Sequence, residues 1–161
     1  MIITPHFLVG AAIATNIQNP ILGLPLAFLS HFFLDFIPHR DYPAFQKISA
    51  REGRKGPLAK FFRESLVGFL KITADFTIAF LIMLFFADNV VLAAIGGLLA
   101  ISPDLDTLAV FFPRLFQNRF FKLFFDFHAG PVHWLEKKEI PIFWKIFSQI
   151  AAVGLAIFFL R

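Results

Sequence analysis

Five apolar segments, separated by turns and polar stretches, restrict what this chain can fold into more than any other feature. A helix needs about 20 apolar residues to cross the roughly 30 Å hydrocarbon core of a bilayer. The last three segments reach that length, whereas the first is the shortest. Pro38 ends the second segment and Pro103 interrupts the fourth, because proline disfavours helix at and just before its own position. The five segments cover about residues 5–15, 21–37, 65–87, 89–112 and 140–160.

The composition fits helices in lipid rather than a soluble domain. Of the 161 residues, 58% are hydrophobic and 16% are charged, whereas soluble domains average about 45–50% and 25%. We therefore predict an all-α fold in a single integral-membrane domain over residues 1–161, built as a polytopic transmembrane bundle of about five membrane helices. An interfacial amphipathic helix is also predicted over residues 111–127, where Arg114, Arg119 and Lys122 interrupt a run rich in Phe.

The amino-terminal residues predict the start of a helix rather than a cleavable signal peptide, because no basic residue precedes the first apolar segment. Thr4 suits the N-cap position and Pro5 suits the first helical position. The first helix is short, so it either forms half of a hairpin with the second helix or crosses only part of the bilayer.

The lysines and arginines predict the orientation of the bundle. Seven of the 15 lie within residues 40–64 and six lie within residues 114–145, whereas the hairpin tip at residues 87–89 has none. We therefore expect residues 40–64 to form a polar, basic cytoplasmic loop, with the amino terminus on the same side of the membrane. The positive-inside rule then accounts for the net charge of +4, and nucleic acid is not expected as a partner.

All five histidines and four of the aspartates fall at the cytoplasmic ends of the segments or in the loops on that side. Ionisable side chains within a membrane protein's apolar region are costly, and they are functional by default. The chain has no cysteine, so a metal would be held by His, Asp or Glu, and such ligands suit Zn, Mn or Fe(II). Nine candidates exceed the three or four protein ligands of one zinc ion, which leaves room for a second ion or for catalytic residues. They are His6, His31, Asp35, His39, Asp41, Asp104, Asp106, His128 and His133.

The spacing within the second segment favours a shared site. His31 and Asp35 lie four residues apart and therefore share one helix face. Pro38 ends the helix, so that His39 and Asp41 can fold back towards that face.

Two further pairs of residues supply more candidate metal ligands on the cytoplasmic side. Asp104 and Asp106 follow the proline break of the fourth segment, and a Gly-Pro turn can bring His128 and His133 inward. Each group alone also fits a structural role, as a capping pair or a solvated helix end. One metal site accounts for all of them together.

Asp75 differs from these residues because it lies near the middle of the third segment, one helical turn after Lys71. It either pairs with Lys71 within the helix or reaches the metal site as a ligand or as a partner of a ligand.

The order of these motifs resembles the YdjM-like family of membrane-bound metal-dependent hydrolases. The resemblance rests on the Pro5-His6 start with Gly10, the Pro-Asp-Leu-Asp of residues 103–106 and the His-x-Gly-x-x-His of residues 128–133. More distantly, the pattern is similar to the zinc-dependent phospholipase C and single-strand nuclease superfamily, whose helices supply His and Asp to a polynuclear zinc site. Where the YdjM-like pattern usually has Thr or Ser before the second His, this chain has Pro-Val, so that hydroxyl is absent. The resemblance implies metal ligands among His6, His31, Asp35, His39, Asp104, Asp106, His128 and His133.

These features predict an integral-membrane metal-dependent hydrolase of the inner membrane that cleaves a lipid phosphoester at the cytoplasmic face. One or two divalent ions, zinc first with Mn or Fe as alternatives, activate a water in this interpretation. Asp41 or Asp106 takes the proton of the water, and Arg40 or a lysine of the loop holds the anionic headgroup of a membrane lipid substrate. Two other interpretations stay open: a metal or proton transporter that uses the His/Asp cluster as a relay, and a membrane protein with a purely structural metal.

Overall fold

The computed structural model describes residues 2–39, 58–104, 118–119, 123–124, 127–128 and 140–161. Five main helices occur among these residues and no strand does, which confirms the predicted all-α class. The helices are α1 (Ile3–Asn16), α2 (Pro20–Phe36), α3 (Leu58–Phe86), α4 (Val90–Ile101) and α5 (Ile142–Phe159).

Asparagine caps begin two of the helices. The Asn19 side-chain oxygen accepts from the backbone N–H of Ile21 at 3.0 Å, and Asn89 accepts from that of Leu92 at 3.0 Å. Such caps satisfy N–H groups that the first turn of a helix leaves without a partner. Asn19 also belongs to the turn predicted between the first two segments, so this local signal sets where α2 begins.

Two helix ends differ from the predicted segments. α3 begins at Leu58 rather than at Ser65, so the end of the segment predicted as a polar loop over residues 40–64 is helical. α4 ends at Ile101, and a 3₁₀ turn then carries the chain to Asp104. The proline within this turn has no N–H to donate, which explains why the α-helix stops before it.

The prediction for the start of α1 is wrong in detail. Ile2, not Thr4, occupies the N-cap position, and Pro5 is the third helical residue rather than the first. The Thr4 N–H donates to Asp75 Oδ2 at 3.0 Å, and the Thr4 hydroxyl donates to Asp75 Oδ1 at 2.5 Å. α3 therefore supplies the cap of α1 in place of a local side chain, and a carboxylate at this end also suits the helix dipole.

α1 is the central helix of the bundle, since it packs against each of the other four. Phe7, Leu8 and Ala11 are fully buried in the core that these contacts form. The Phe7 ring meets Phe76 of α3 edge-on, with the ring centroids 5.4 Å apart. The apolar core therefore surrounds α1, and the other helices present their remaining apolar faces outwards.

α1 and α4 approach each other through small residues. A Cβ on Gly10 would lie 2.3 Å from the Cβ of Ala100, and one on Gly96 would lie 2.3 Å from the Cβ of Ala14. Each helix thus presents two small residues four positions apart, a spacing that allows close backbone contact between membrane helices. The pairs also run in opposite order along the two helices, so α1 and α4 are antiparallel.

Two helices are long and apolar enough to cross a membrane, namely Leu66–Phe86 within α3 and Ile142–Phe159, which is α5. Only 11% and 17% of their apolar windows are buried, so most of these side chains face outwards, as lipid-facing residues do. α1, α2 and α4 have 14, 17 and 12 residues, fewer than the 20 or so that a full crossing needs. The helical bundle is therefore confirmed, whereas five complete membrane spans are not.

Candidate metal centre

Asp35, in the last turn of α2, is a fully buried carboxylate among histidines. Its Oδ2 lies 3.0 Å from His31 Nε2 and 3.1 Å from His128 Nε2. Its Oδ1 lies 3.1 Å from His6 Nε2 and 3.8 Å from His39 Nε2. One carboxylate thus meets four imidazoles: His31 and His39 lie four residues from it in the chain, whereas His6 and His128 come from other parts of the chain.

Local geometry aims these rings at Asp35. His31 lies one helical turn before Asp35 on the same face of α2. His6, near the start of α1, stacks on His31 with ring centroids 4.2 Å apart. His39 follows the end of α2 at Phe36, and the extended backbone there turns its ring back towards the helix. His6 therefore reaches Asp35 because α1 packs closely against α2.

Backbone carbonyls fix the orientation of two of the rings. His31 Nδ1 lies 2.8 Å from the carbonyl oxygen of Ala100, and His39 Nδ1 lies 2.7 Å from that of Ile37. A carbonyl oxygen only accepts, so Nδ1 carries a proton in both rings, and Nε2 of the neutral imidazole holds a lone pair. Metal-ligating histidines typically show this arrangement, in which the second nitrogen donates to a carbonyl or carboxylate.

His31, Asp35, Asp104 and His128 can together hold a metal ion, since one ligand atom from each lies within 4.8 Å of the others. The Nε2 atoms of His31 and His128 are 2.9 Å apart, and His31 Nε2 lies 3.6 Å from Asp104 Oδ1. Zinc binds nitrogen and oxygen ligands at about 2.0–2.2 Å, so two ligands of one tetrahedral ion lie roughly 3.3 Å apart. The two observed distances, 2.9 Å and 3.6 Å, lie just below and just above this value. The same nitrogen and oxygen donors also suit manganese or iron.

Asp104 is the accessible member of this group. The side chains of His31, Asp35 and His128 are at most 2% exposed, whereas that of Asp104 is 32% exposed. The carboxyl group of Asp104 nevertheless lies in low-dielectric surroundings, and this desolvation raises its pKa, while the nearby His31 acts in the opposite direction. Among the described residues, the Asp104 side of the cluster is therefore where water or a substrate can enter.

Aromatic packing holds His128 in place. The Phe32 ring lies 5.5 Å from the ring of His31, 5.9 Å from that of His128 and 6.2 Å from that of Phe124, measured between centroids. Neither this role of Phe32 nor the carbonyl of Ala100 that orients His31 was predicted from the sequence. Phe32 is one of 25 Phe residues, and a backbone carbonyl leaves no signature in a sequence.

Six of the predicted site residues lie together in this cluster: His6, His31, Asp35, His39, Asp104 and His128. Asp75 instead contacts Thr4, so it supports the start of the helix that carries His6. The remaining predictions lie outside the described residues: Arg40, Asp41, Asp106, His133, most of the loop over residues 40–64 and most of the interfacial helix over residues 111–127.

The fold and the site together define a helical bundle, with two helices of membrane-spanning length, that contains a His/Asp cluster able to hold a metal ion. Comparisons of the chain with protein-family models, with curated proteins and with solved structures gave no match. The resemblance to the YdjM-like family, which rests on the order of motifs, therefore stays a prediction.

Proposed function

We propose that this protein is an integral-membrane metal-dependent hydrolase that cleaves a lipid phosphoester at the cytoplasmic face of the membrane. One observation carries the proposal: His31, Asp35, Asp104 and His128 converge closely enough to share a metal ion, and one of the four is accessible. A metal centre with an accessible side is the arrangement that hydrolytic metal sites need.

With His6 and His39 beside the group of four, the donors around Asp35 exceed the four ligands that close one structural zinc site, and this excess supports a second ion or a catalytic centre. A structural zinc site is closed by four protein ligands, whereas a catalytic site keeps a position for water or substrate. His6 and His39 face Oδ1 of Asp35, while His31 and His128 face Oδ2. Asp35 and these four histidines would hold up to two divalent ions, which would supply the chemistry of a two-metal hydrolase.

The position of the cluster supports a lipid substrate on the cytoplasmic side. Asp35 lies at the end of α2, Asp104 follows α4, and His6 lies near the start of α1, so the donors share one end of the bundle. In the sequence, Arg40 directly follows His39 of the cluster, and the positive-inside rule assigns the basic residues within 40–64 to the cytoplasm. A centre at this depth suits a substrate whose phosphoester is at the interface and whose acyl chains stay in lipid.

The residues have separate roles in this proposal. A divalent ion at the cluster supplies a water of lowered pKa and stabilises charge that develops on the phosphoryl oxygens. Asp41 or Asp106 accepts the proton of the attacking water, and Arg40 binds the anionic headgroup. The carbonyls of Ala100 and Ile37 keep the Nε2 atoms of two histidines directed at Asp35.

Metal content and hydrolysis measured on the same detergent-purified protein test the proposal. We expect one or two zinc ions per wild-type chain. In His31→Ala and in His128→Ala, we expect the hydrolysis rate to fall about tenfold or more. Thr77→Ala is the matched control, because the Thr77 hydroxyl is exposed on α3 and bonds the carbonyl of Thr73. Vesicles that contain phosphatidic acid report a monoesterase through released phosphate, and phosphatidylglycerol reports a diesterase through released glycerol phosphate.

The other outcomes each contradict the hydrolase. Wild-type protein that neither retains zinc, manganese or iron nor is stabilised by them rules out the metal centre itself. Retained metal without hydrolysis, together with ion flux across the vesicle membrane, favours a transporter. Retained metal with neither activity favours a structural metal.

A further inference from the structure

His6 differs from two other histidines at Asp35 in how its ring is held. His31 and His39 each direct Nδ1 at a backbone carbonyl oxygen, which fixes the orientation of the ring. Nδ1 of His6 is buried and has no hydrogen-bond partner among the residues that the structure describes. Stacking on His31 restricts the tilt of the His6 ring but not its position along the stacking plane. The position of His6 Nε2, 3.1 Å from Asp35 Oδ1, therefore depends on the placement of α1.

Two neighbouring residues of α3 hold the first turns of α1. Both carboxylate oxygens of Asp75 accept from Thr4, one from its N–H at 3.0 Å and the other from its hydroxyl. The same hydroxyl lies 3.2 Å from the carbonyl oxygen of Asp75. Phe76, the next residue of α3, meets Phe7 edge-on. Since Thr4 and Phe7 flank His6 in the sequence, His6 lies between two contacts with α3.

These contacts fix the rotation of α1 about its own axis. At 3.6 residues per turn, Thr4 and Phe7 lie about 60° apart around the helix, whereas His6 lies about 160° from Thr4 and about 100° from Phe7. α1 is thus held on one side, while His6 extends from another side towards α2. Side-chain atoms lie about 5–6 Å from a helix axis, so a rotation of about 20° would move them by about 2 Å. Metal–ligand distances vary by only about 0.2 Å.

Asp75 lies where a carboxylate is costly. It is within Leu66–Phe86, the part of α3 that is long and apolar enough to cross a membrane. Ionisable residues in such segments are rare, and they are functional by default. A serine or an asparagine at the start of α1 would cap that helix without a charge in α3. Such a local cap would leave the rotation of α1 against α3 free, whereas Asp75 fixes it.

We propose that Asp75 is a positioning residue, which sets the rotation of α1 and thereby holds His6 Nε2 against Asp35 Oδ1. The consequence for metal binding rests on the proposed function, whereas the positioning of His6 does not. Asp75 acts through Thr4 and the helix that carries His6, and it is not itself a metal ligand.

Nuclear magnetic resonance signals of the histidine rings in the metal-free protein test this positioning. The full-length chain is labelled isotopically in histidine only and kept in detergent with EDTA, and His6→Gln identifies the His6 signals. Asp75→Asn keeps the size of the side chain but replaces one acceptor oxygen by an amide group that donates. We expect the His6 signals to shift or split more than those of His39, which the carbonyl of Ile37 holds. Unchanged His6 signals in a folded Asp75→Asn variant would overturn the proposal.

Two further variants separate this role from a general loss of stability. Met83→Ala removes a fully buried side chain of α3 about 12 Å further along the helix. We expect it to lower the thermal unfolding temperature and to leave the His6 signals as in the wild type. Thr4→Ser keeps both donors to Asp75, so its His6 signals should also match the wild type. His6 signals that change equally in Met83→Ala and Asp75→Asn would contradict a specific role of Asp75.

Zinc affinity, measured against a competing chelator, tests whether Asp75 acts through His6. We expect Asp75→Asn and His6→Ala each to weaken zinc binding about tenfold or more. The double variant should bind zinc no more weakly than His6→Ala alone, because the positioning residue has nothing left to position. Effects that add in the double variant would show that the two residues act independently, which contradicts the proposal.

The two proposals fail in different ways. Altered His6 signals in Asp75→Asn, with no metal bound by the wild type, keep the positioning role of Asp75 and reject the metal-dependent hydrolase. Metal binding and hydrolysis that Asp75→Asn leaves unchanged, together with unaltered His6 signals, keep the hydrolase and reject the role of Asp75.

Discussion

Asp35 shows why this cluster is suited to a cation. A buried carboxylate is stable only when it is paired, and here its partners are four imidazoles rather than a lysine or arginine. Because His31 Nδ1 is committed to the carbonyl of Ala100, the nitrogen that faces Asp35 holds a lone pair when the ring is neutral. A proton or a metal ion must therefore lie between these atoms, and the two compete for the same position.

This competition predicts that metal affinity depends on pH. Ligand imidazoles must be neutral to bind a metal, so protonation at low pH opposes binding and releases the ion. We expect the zinc affinity to fall at least about tenfold between pH 7.5 and pH 5.5. Titration with zinc against a competing chelator measures this change, and an affinity that is constant over the range would show that no proton competes with the metal between pH 7.5 and pH 5.5.

The two oxygens of Asp35 predict different effects for two histidines. His31 is one of the four residues that can together hold a single metal ion. His39 is not, and its Nε2 lies 3.8 Å from Oδ1 of Asp35, the oxygen that faces away from His31. We expect His31→Ala to abolish metal binding and His39→Ala to remove at most one of two ions. Elemental mass spectrometry of both variants gives the stoichiometry, and equal loss in the two would indicate a single ion bound by both rings.

The contact between α1 and α4 links helix packing to the metal centre. Gly96 lets α4 lie against Ala14 and the carbonyl of Gly10, and one turn later the same helix presents the carbonyl of Ala100 to His31. A change in the distance between these helices therefore also changes the orientation of a metal ligand.

Gly96→Leu should consequently damage stability and metal binding together. The added side chain meets backbone and a buried methyl group that have no room to move, and such overpacking costs about 1–3 kcal/mol or more. We expect a lower thermal unfolding temperature and weaker zinc binding than in Gly154→Leu, which adds the same side chain on an open surface. A Gly96→Leu protein with the stability of that control would show that α1 and α4 do not pack as described.

The helices could be located from the sequence because their signals are local. Asn19 marks the start of α2 and Pro38 follows its end, and both signals act over a few residues. The start of α1 was misassigned because its capping group, Asp75, lies 71 residues from Thr4 along the chain. The candidate ligands could likewise be grouped from topology, whereas the carbonyl of Ala100 and the packing of Phe32 depend on how helices meet in three dimensions.

Across the whole molecule, the cluster ties together parts of the chain that are far apart in sequence. His31 and His128 are separated by 97 residues and meet within 2.9 Å. A ligand that binds only the folded state stabilises it by about 2.7 kcal/mol at 100 times its dissociation constant. A metal bound by both residues therefore acts as a link between the first helices and the region before α5.

Removal of the metal should lower the stability of the entire bundle. We expect EDTA to reduce the thermal unfolding temperature of the zinc-loaded wild type by several degrees, and added zinc to restore it. EDTA should leave the unfolding temperature of His31→Ala unchanged, since that variant has no metal to lose. Scanning fluorimetry in detergent measures both unfolding temperatures. An equal decrease in the two proteins would show that EDTA does not act by removing a metal bound at His31.

The separation of His6 from His128 also has a consequence for biosynthesis. His6 leaves the ribosome before α2 and α4, whereas His128 emerges after α4 has been made. The full set of ligands is assembled only after α1, α2 and α4 have reached the membrane and packed together. If the cluster binds a metal, its loading would therefore come late in the maturation of the chain, because a nascent chain stalled before residue 128 lacks one of the four candidate ligands.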